Sequence, residues 1–120
     1  MACSNQFGQF ISEKRTKMSM TKQDLAWKIG ISTAYLSQIE SGIRSNPKIE
    51  IINSLITSLN LNEEEIYKLY DLYAKATNSI AIDVAQSIKQ NEIISKAIRI
   101  AEKQGAGKIA WLKFIDQLIK

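Results

Sequence analysis

The chain has 120 residues, 45% hydrophobic and 23% charged, with 16 basic and 12 acidic side chains for a net charge of +4. Those are globular proportions for one domain, or one domain with a small appendage, and they exclude wholesale disorder. One cysteine, Cys3, and no histidine exclude an intrachain disulfide, most zinc sites and histidine-based catalysis, so no metal, no cofactor and no enzymatic activity is expected.

The charge is unevenly spread. Residues 1–48 carry a net +4, residues 49–78 a net −3 and residues 79–120 a net +3. A basic first third before an acidic middle suggests one face made for a polyanion. No stretch approaches the ~18 apolar residues of a membrane span, and no charged-then-apolar leader opens the chain. A cytoplasmic protein without membrane association is expected, and a lone free cysteine fits a reducing compartment.

Apolar residues recur with helical spacing along almost the whole chain, which predicts an all-α fold. The first helix is expected from about Asn5 to Lys17, with Phe7, Phe10, Ile11 and Met18 on its apolar side. After a Met18–Met20 connector, Thr21 reads as an N-cap with Asp24 placed for a capping box. Leu25, Ala26 and Ile29 form the stripe of the second helix, and Gly30 ends it. Ser32 reads as the next N-cap, opening a helix from Thr33 to Ser41 that Gly42 stops.

A basic, polar loop follows, and Pro47 fits the first turn of a fourth helix whose stripe is Ile49, Ile52, Leu55, Ile56 and Leu59. Asn62 caps a fifth helix that starts with three glutamates, where the helix dipole favours negative charge. Its inward residues are Ile66, Leu69, Tyr70 and Tyr73. Asn78-Ser79 breaks the chain, giving an expected first domain over residues 5–77 and a helical C-terminal extension over 80–120. The extension should hold three short helices, about 82–90, 92–104 and 108–119. The last packs on Ile94, Ala97, Ile98 and Ala101, and its leftover apolar surface is a candidate dimerisation element.

The informative stretch is TKQDLAWKIGISTAYLSQIESG, residues 21–42: two short helices and a tight turn. On the second of these helices Leu36, Ile39 and Glu40 share one face. Ala34, Gln38 and Ser41 lie opposite, flanked by Tyr35 and Ser37. An apolar inner face thus backs an outer face of small and amide-bearing side chains without charge. Such a face can enter a major groove and offer donors and acceptors to base edges. Thr33, Ala34, Ser37 and Gln38 are therefore the candidate base contacts. Gln38 leads them, because an amide can pair bidentately with adenine. Basic residues on either side, Lys22, Lys28, Arg44 and Lys48, could neutralise phosphates. Trp27, Tyr35 and Ser45 complete the candidate backbone contacts. Trp27 could instead cover Phe7 or a second subunit, and Tyr35 could pack over the connector.

This segment resembles the Cro and phage-repressor (XRE-type) helix-turn-helix family. The pattern is carried by Thr21, Leu25, Ala26, Ile29, Gly30, Ile31, Ser32, Leu36, Ile39, Glu40 and Gly42, and Pro47, Ile52, Leu55, Leu59 and Leu61 extend it. The resemblance implies a five-helix, lambda-repressor-like DNA-binding domain with Thr33–Ser41 as recognition helix. It also implies a homodimer on a palindromic double-stranded site, and an Arg15–Glu40 pair that locks the recognition helix to the scaffold. Two departures are Trp27, where a polar residue is usual, and Ile43, where Lys or Arg is frequent and Arg44 is the substitute. The run WLKFIDQLI in the tail is loosely similar to the helical extension of some bacterial regulators of this family. The expected function is a sequence-specific transcriptional regulator, a repressor acting by operator occupancy, with no small-molecule ligand. The alternative is a protein-interaction module, such as an antitoxin or a phage-encoded inhibitor, that reuses the same fold.

Overall fold

A computed structural model describes residues 5–44 and 46–120. Its described residues form eight helices: α1 (Gln6–Lys17), α2 (Lys22–Ile29), α3 (Thr33–Ser41), α4 (Ile49–Ser58), α5 (Glu63–Thr77), α6 (Ile82–Gln90), α7 (Glu92–Lys103) and α8 (Lys108–Ile119). Helix starts follow from side-chain chemistry. Thr21 and Asp24 close a capping box on α2, and Asn62 and Glu65 close another on α5. Ser32 Oγ accepts from the Tyr35 amide at the head of α3. Each arrangement satisfies backbone N–H groups that a helix leaves unpaired. Gly30 and Gly42 end α2 and α3 with φ of 78° and 90°, a left-handed turn that glycine makes without a Cβ penalty.

The chain divides into two compact units between Ile82 and Asp83, a little later than the break at Asn78-Ser79 suggests. The shift has a packing cause, because Ala81 is buried and Ile82 packs on the core of the first unit. In that unit α1 packs on α3 and α5, and α2 packs on α3 and α4. Phe7, Phe10 and Ile11 of α1 meet Leu25, Leu36, Ile39, Ile52, Leu55 and Leu69 in one continuous core.

Three placements in the first unit differ from the sequence reading. Met18 is the exposed C-cap of α1 and not part of its apolar face. Pro47 lies before the N-cap Lys48 of α4, outside the helix and fully buried, with its carbonyl accepting from the Tyr73 hydroxyl at 2.8 Å. Ile49, at the start of the α4 stripe, is exposed. Cys3 and Ser45 lie outside the described residues.

The second unit contains α6 after its first residue, α7 and α8. No residue of these three helices is buried. Ala97 and Ala101 line an apolar hollow of about 430 Å³ together with Trp111 and Phe114, whose rings meet edge to face. Ile98, expected beneath α8, is largely exposed. Among the described residues no helix is long and apolar enough to cross a membrane.

Candidate nucleic-acid interface

The site is built on α3, and its scaffold grips that helix at its C-terminal end. At the C-terminal end Arg15 Nε donates to Glu40 Oε2 at 2.8 Å and Nη2 to Oε1 at 3.1 Å, a two-point charge-assisted pair. Both side chains are well removed from water, 13% exposed for Arg15 and 5% for Glu40. The third arm of the guanidinium, Nη1, donates to the Met20 carbonyl oxygen at 2.9 Å. One side chain thus ties α1 to the connector before α2 and to the end of α3.

Two further residues hold the same end, and sequence reasoning missed both. Asn5, the N-cap of α1, donates from Nδ2 to the Glu40 carbonyl oxygen. That carbonyl is among those a helix C-terminus leaves without an internal partner. Gly8 lets α1 approach so closely that a Cβ there would stand 2.4 Å from the Glu40 carbonyl oxygen and 2.6 Å from that of Ile39. The available signal was a glycine inside an otherwise regular helix, which marks a close backbone approach.

Thr33 and Ala34, in the first turn of α3, are exposed, as are Lys28, Arg44 and Lys48. Ser37 and Gln38 are half-buried rather than fully outward, because flanking cations lie over them. Lys22 Nζ donates to Ser37 Oγ at 3.2 Å. Arg44 Nε donates to Gln38 Oε1 at 2.9 Å, and its guanidinium carbon sits 5.6 Å from the centre of the Tyr35 ring. The fold therefore gathers Lys22 with Ser37, and Tyr35 with Gln38 and Arg44. Trp27 is 84% exposed. It stands apart from these groups, in a shallow hollow with Met20, Gln23, Asp24 and Lys28.

The loop after α3 is anchored from below. The Tyr73 hydroxyl shares its proton between Asn46 Oδ1 and the Pro47 carbonyl oxygen, each at 2.8 Å. Burial, with Tyr35 nearby, pushes the Tyr73 pKa up and keeps the hydroxyl a donor. Tyr73 also packs on Phe7, ring centres 5.4 Å apart, so the loop carrying Arg44 and Lys48 is seated on the core. Among the described residues no group of acidic or cysteine side chains is placed to hold a metal ion.

What the arrangement can do is present a short helix whose exposed face has no carboxylate, with the Lys22 and Arg44 cations against it. A surface of this kind suits the edge of a base pair between two phosphate strands.

A helix-turn-helix family model matches residues 11–66. Two uncharacterised HTH-type transcriptional regulators of Mycobacterium tuberculosis, from two strains, are each 26% identical to the chain. The match takes in 72% of this chain and 65% of each relative, so the chain spans just under two thirds of their length. A chain of a solved SinR protein/SinI protein complex is 23% identical, with 93% of both chains covered and a TM-score of 0.49. The stretch matched by the helix-turn-helix model holds α2, the Gly30 turn and α3 in order and capped as described.

Proposed function

We propose that this protein is a sequence-specific double-stranded DNA-binding regulator of transcription, acting by occupying an operator. The observation that carries this reading is the carboxylate-free outer face of α3, fixed by the Arg15–Glu40 pair and contacted by Lys22 and Arg44, with Lys28 and Lys48 exposed on the neighbouring elements. Thr33, Ala34, Ser37 and Gln38 face the groove in this reading. Lys22, Lys28, Lys48, Tyr35 and Ser45 serve the phosphates, and Trp27 offers its indole N–H at the border. Occupancy represses wherever the site overlaps that of the polymerase. The regulators similar to this chain carry the same class of function in their names, which supports binding over catalysis.

The acting form in this reading is a homodimer joined through α7 and α8. The second unit, residues 83–120, is shorter than the ~40 residues at which a chain usually builds a core unaided. It has no buried residue in its helices, while Trp111, Leu112, Phe114 and Ile115 each expose two fifths or more of their surface. A second copy presenting the same face would cover both at once, as a two-fold interface does.

The test is selection of bound fragments from random duplex DNA, followed by affinity against salt. Enrichment of a two-fold symmetric site is expected. So is a log–log salt slope of about −0.9 per phosphate contacted. Absence of any duplex bound above background overturns the reading in favour of a protein-interaction module.

A further inference from the structure

We propose that Arg44 reads a base and that Gln38 positions it, so that the two side chains recognise guanine as one unit. The inference rests on the DNA-binding reading and deepens it. A phosphate contact needs only reach and charge, yet Arg44 is held in orientation by three contacts. Past the left-handed turn at Gly42 its backbone N–H donates to the Gln38 carbonyl oxygen at 3.1 Å. Its Nε donates to Gln38 Oε1 at 2.9 Å. Its guanidinium lies 5.6 Å from the Tyr35 ring centre, within cation–π range. These contacts set the plane of the fork, and a pre-organised fork loses less side-chain freedom on binding.

The same bonds decide which base fits. With Nε engaged, the fork presents its two Nη groups end-on. With Oε1 accepting from Arg44, the amide presents mainly its Nε2 donors. The pair therefore offers donors outward. Guanine displays two acceptors in the major groove, O6 and N7, whereas adenine displays one acceptor and one donor. The lone-amide contact to adenine, which Gln38 suggests by itself, would have to share the oxygen that already accepts from Arg44. Tyr35, Gln38 and Arg44 border one open hollow with Ile43 and Asn46, so the unit is accessible.

The test is selection from random duplexes with the full-length chain and its Arg44→Lys, Arg44→Ala, Gln38→Ala and double Gln38→Ala/Arg44→Lys variants. The wild type is expected to enrich guanine at one position of each half-site. Arg44→Lys keeps the charge and loses the fork, and should lower that guanine preference about 5- to 150-fold. Gln38→Ala should lower the preference at the same position, and the double variant should lose no more than Arg44→Lys alone. If Arg44→Ala weakens preferred and random duplexes by one factor and flattens the salt slope by about one, Arg44 is a phosphate contact and the inference is wrong. It is equally wrong if Gln38→Ala alters a different position, or if Arg44→Lys leaves guanine enriched. A wild-type chain that selects no duplex overturns the DNA-binding reading itself.

Discussion

At the level of single residues, α3 is held by a few contacts, and each of them is a point of vulnerability. Glu40 is the clearest case, because removing its carboxylate leaves the largely desolvated Arg15 guanidinium without its counter-charge. Glu40→Ala should cost about 3–5 kcal/mol of stability, read as a lowered urea midpoint. The full cost requires that Arg15 stay in place, so Arg15→Met combined with Glu40→Ala should recover part of it. Gly8 fails by crowding. A methyl there meets backbone oxygens of Ile39 and Glu40, which cannot rotate away as a side chain can. Gly8→Ala should destabilise by about 1–3 kcal/mol. Since the displaced element is α3, DNA affinity should fall even under conditions where the variant is fully folded. A folded Gly8→Ala chain with unchanged affinity would separate the α1–α3 contact from recognition.

Among the elements, the helix termini carry most of the local specification, and two of them make the fold sensitive to acid. Asp24 is held below the usual carboxylate range by the Thr21 backbone amide and then by the Thr21 hydroxyl. Glu65 is held low chiefly by the Lys14 ammonium, then by the Asn62 amide. Each carboxyl is bound in its charged form in the folded chain. The stability it gives is complete above the unfolded carboxylate range and is lost as pH falls through the depressed folded pKa. Urea midpoints should therefore fall on acidification through about pH 4. A double Asp24→Asn/Glu65→Gln variant should be less stable at neutral pH and show a shallower acid dependence. The α1–α2 connector offers the opposite opportunity. Ser19 has φ of 58°, a left-handed conformation that carries a Cβ penalty of about 1–2 kcal/mol. Ser19→Gly removes it at some entropic cost, for an expected gain of about 0.5–1 kcal/mol. An unchanged melting temperature would show that the turn stores no such strain.

For the whole molecule, the proposed homodimer turns on which surface unites two chains. Each half-site of a two-fold operator needs its own α3, and the half-sites of such regulators lie about 34 Å apart, one turn of DNA. An interface outside the helix-turn-helix domain leaves both recognition helices free, and the apolar face of α7 and α8 lies outside it. Phe114→Glu and Leu118→Glu replace exposed side chains, so neither demands a rearranged core. Sedimentation of the double variant should show monomer at concentrations where the wild type is dimeric. Affinity for a single half-site should be kept while affinity for the full operator drops. Dimers that survive both substitutions would place the interface elsewhere, with the exposed Trp27 as the next surface to test.

Short-range chemistry in the sequence set the helices and most of their ends, the start of α4 at Pro47 excepted. Helical period, capping residues and left-handed glycines act within a few positions of one another, so Thr21 with Asp24, Ser32, Asn62, Gly30 and Gly42 could be read from spacing alone. The three helices of the tail were legible for the same reason. Only the tertiary structure decided what crosses between elements. Nothing local links Asn5 and Gly8 to the carbonyls of α3, Pro47 to Tyr73, or Ile82 to the first core. The outer face of α3 shows the same limit at the site. Helical geometry put Gln38 outward, but the Gly42 turn brought Arg44 back onto its oxygen. A hydrogen bond between side chains six residues apart depends on where the chain goes after the helix ends, and helical periodicity carries no information past that point.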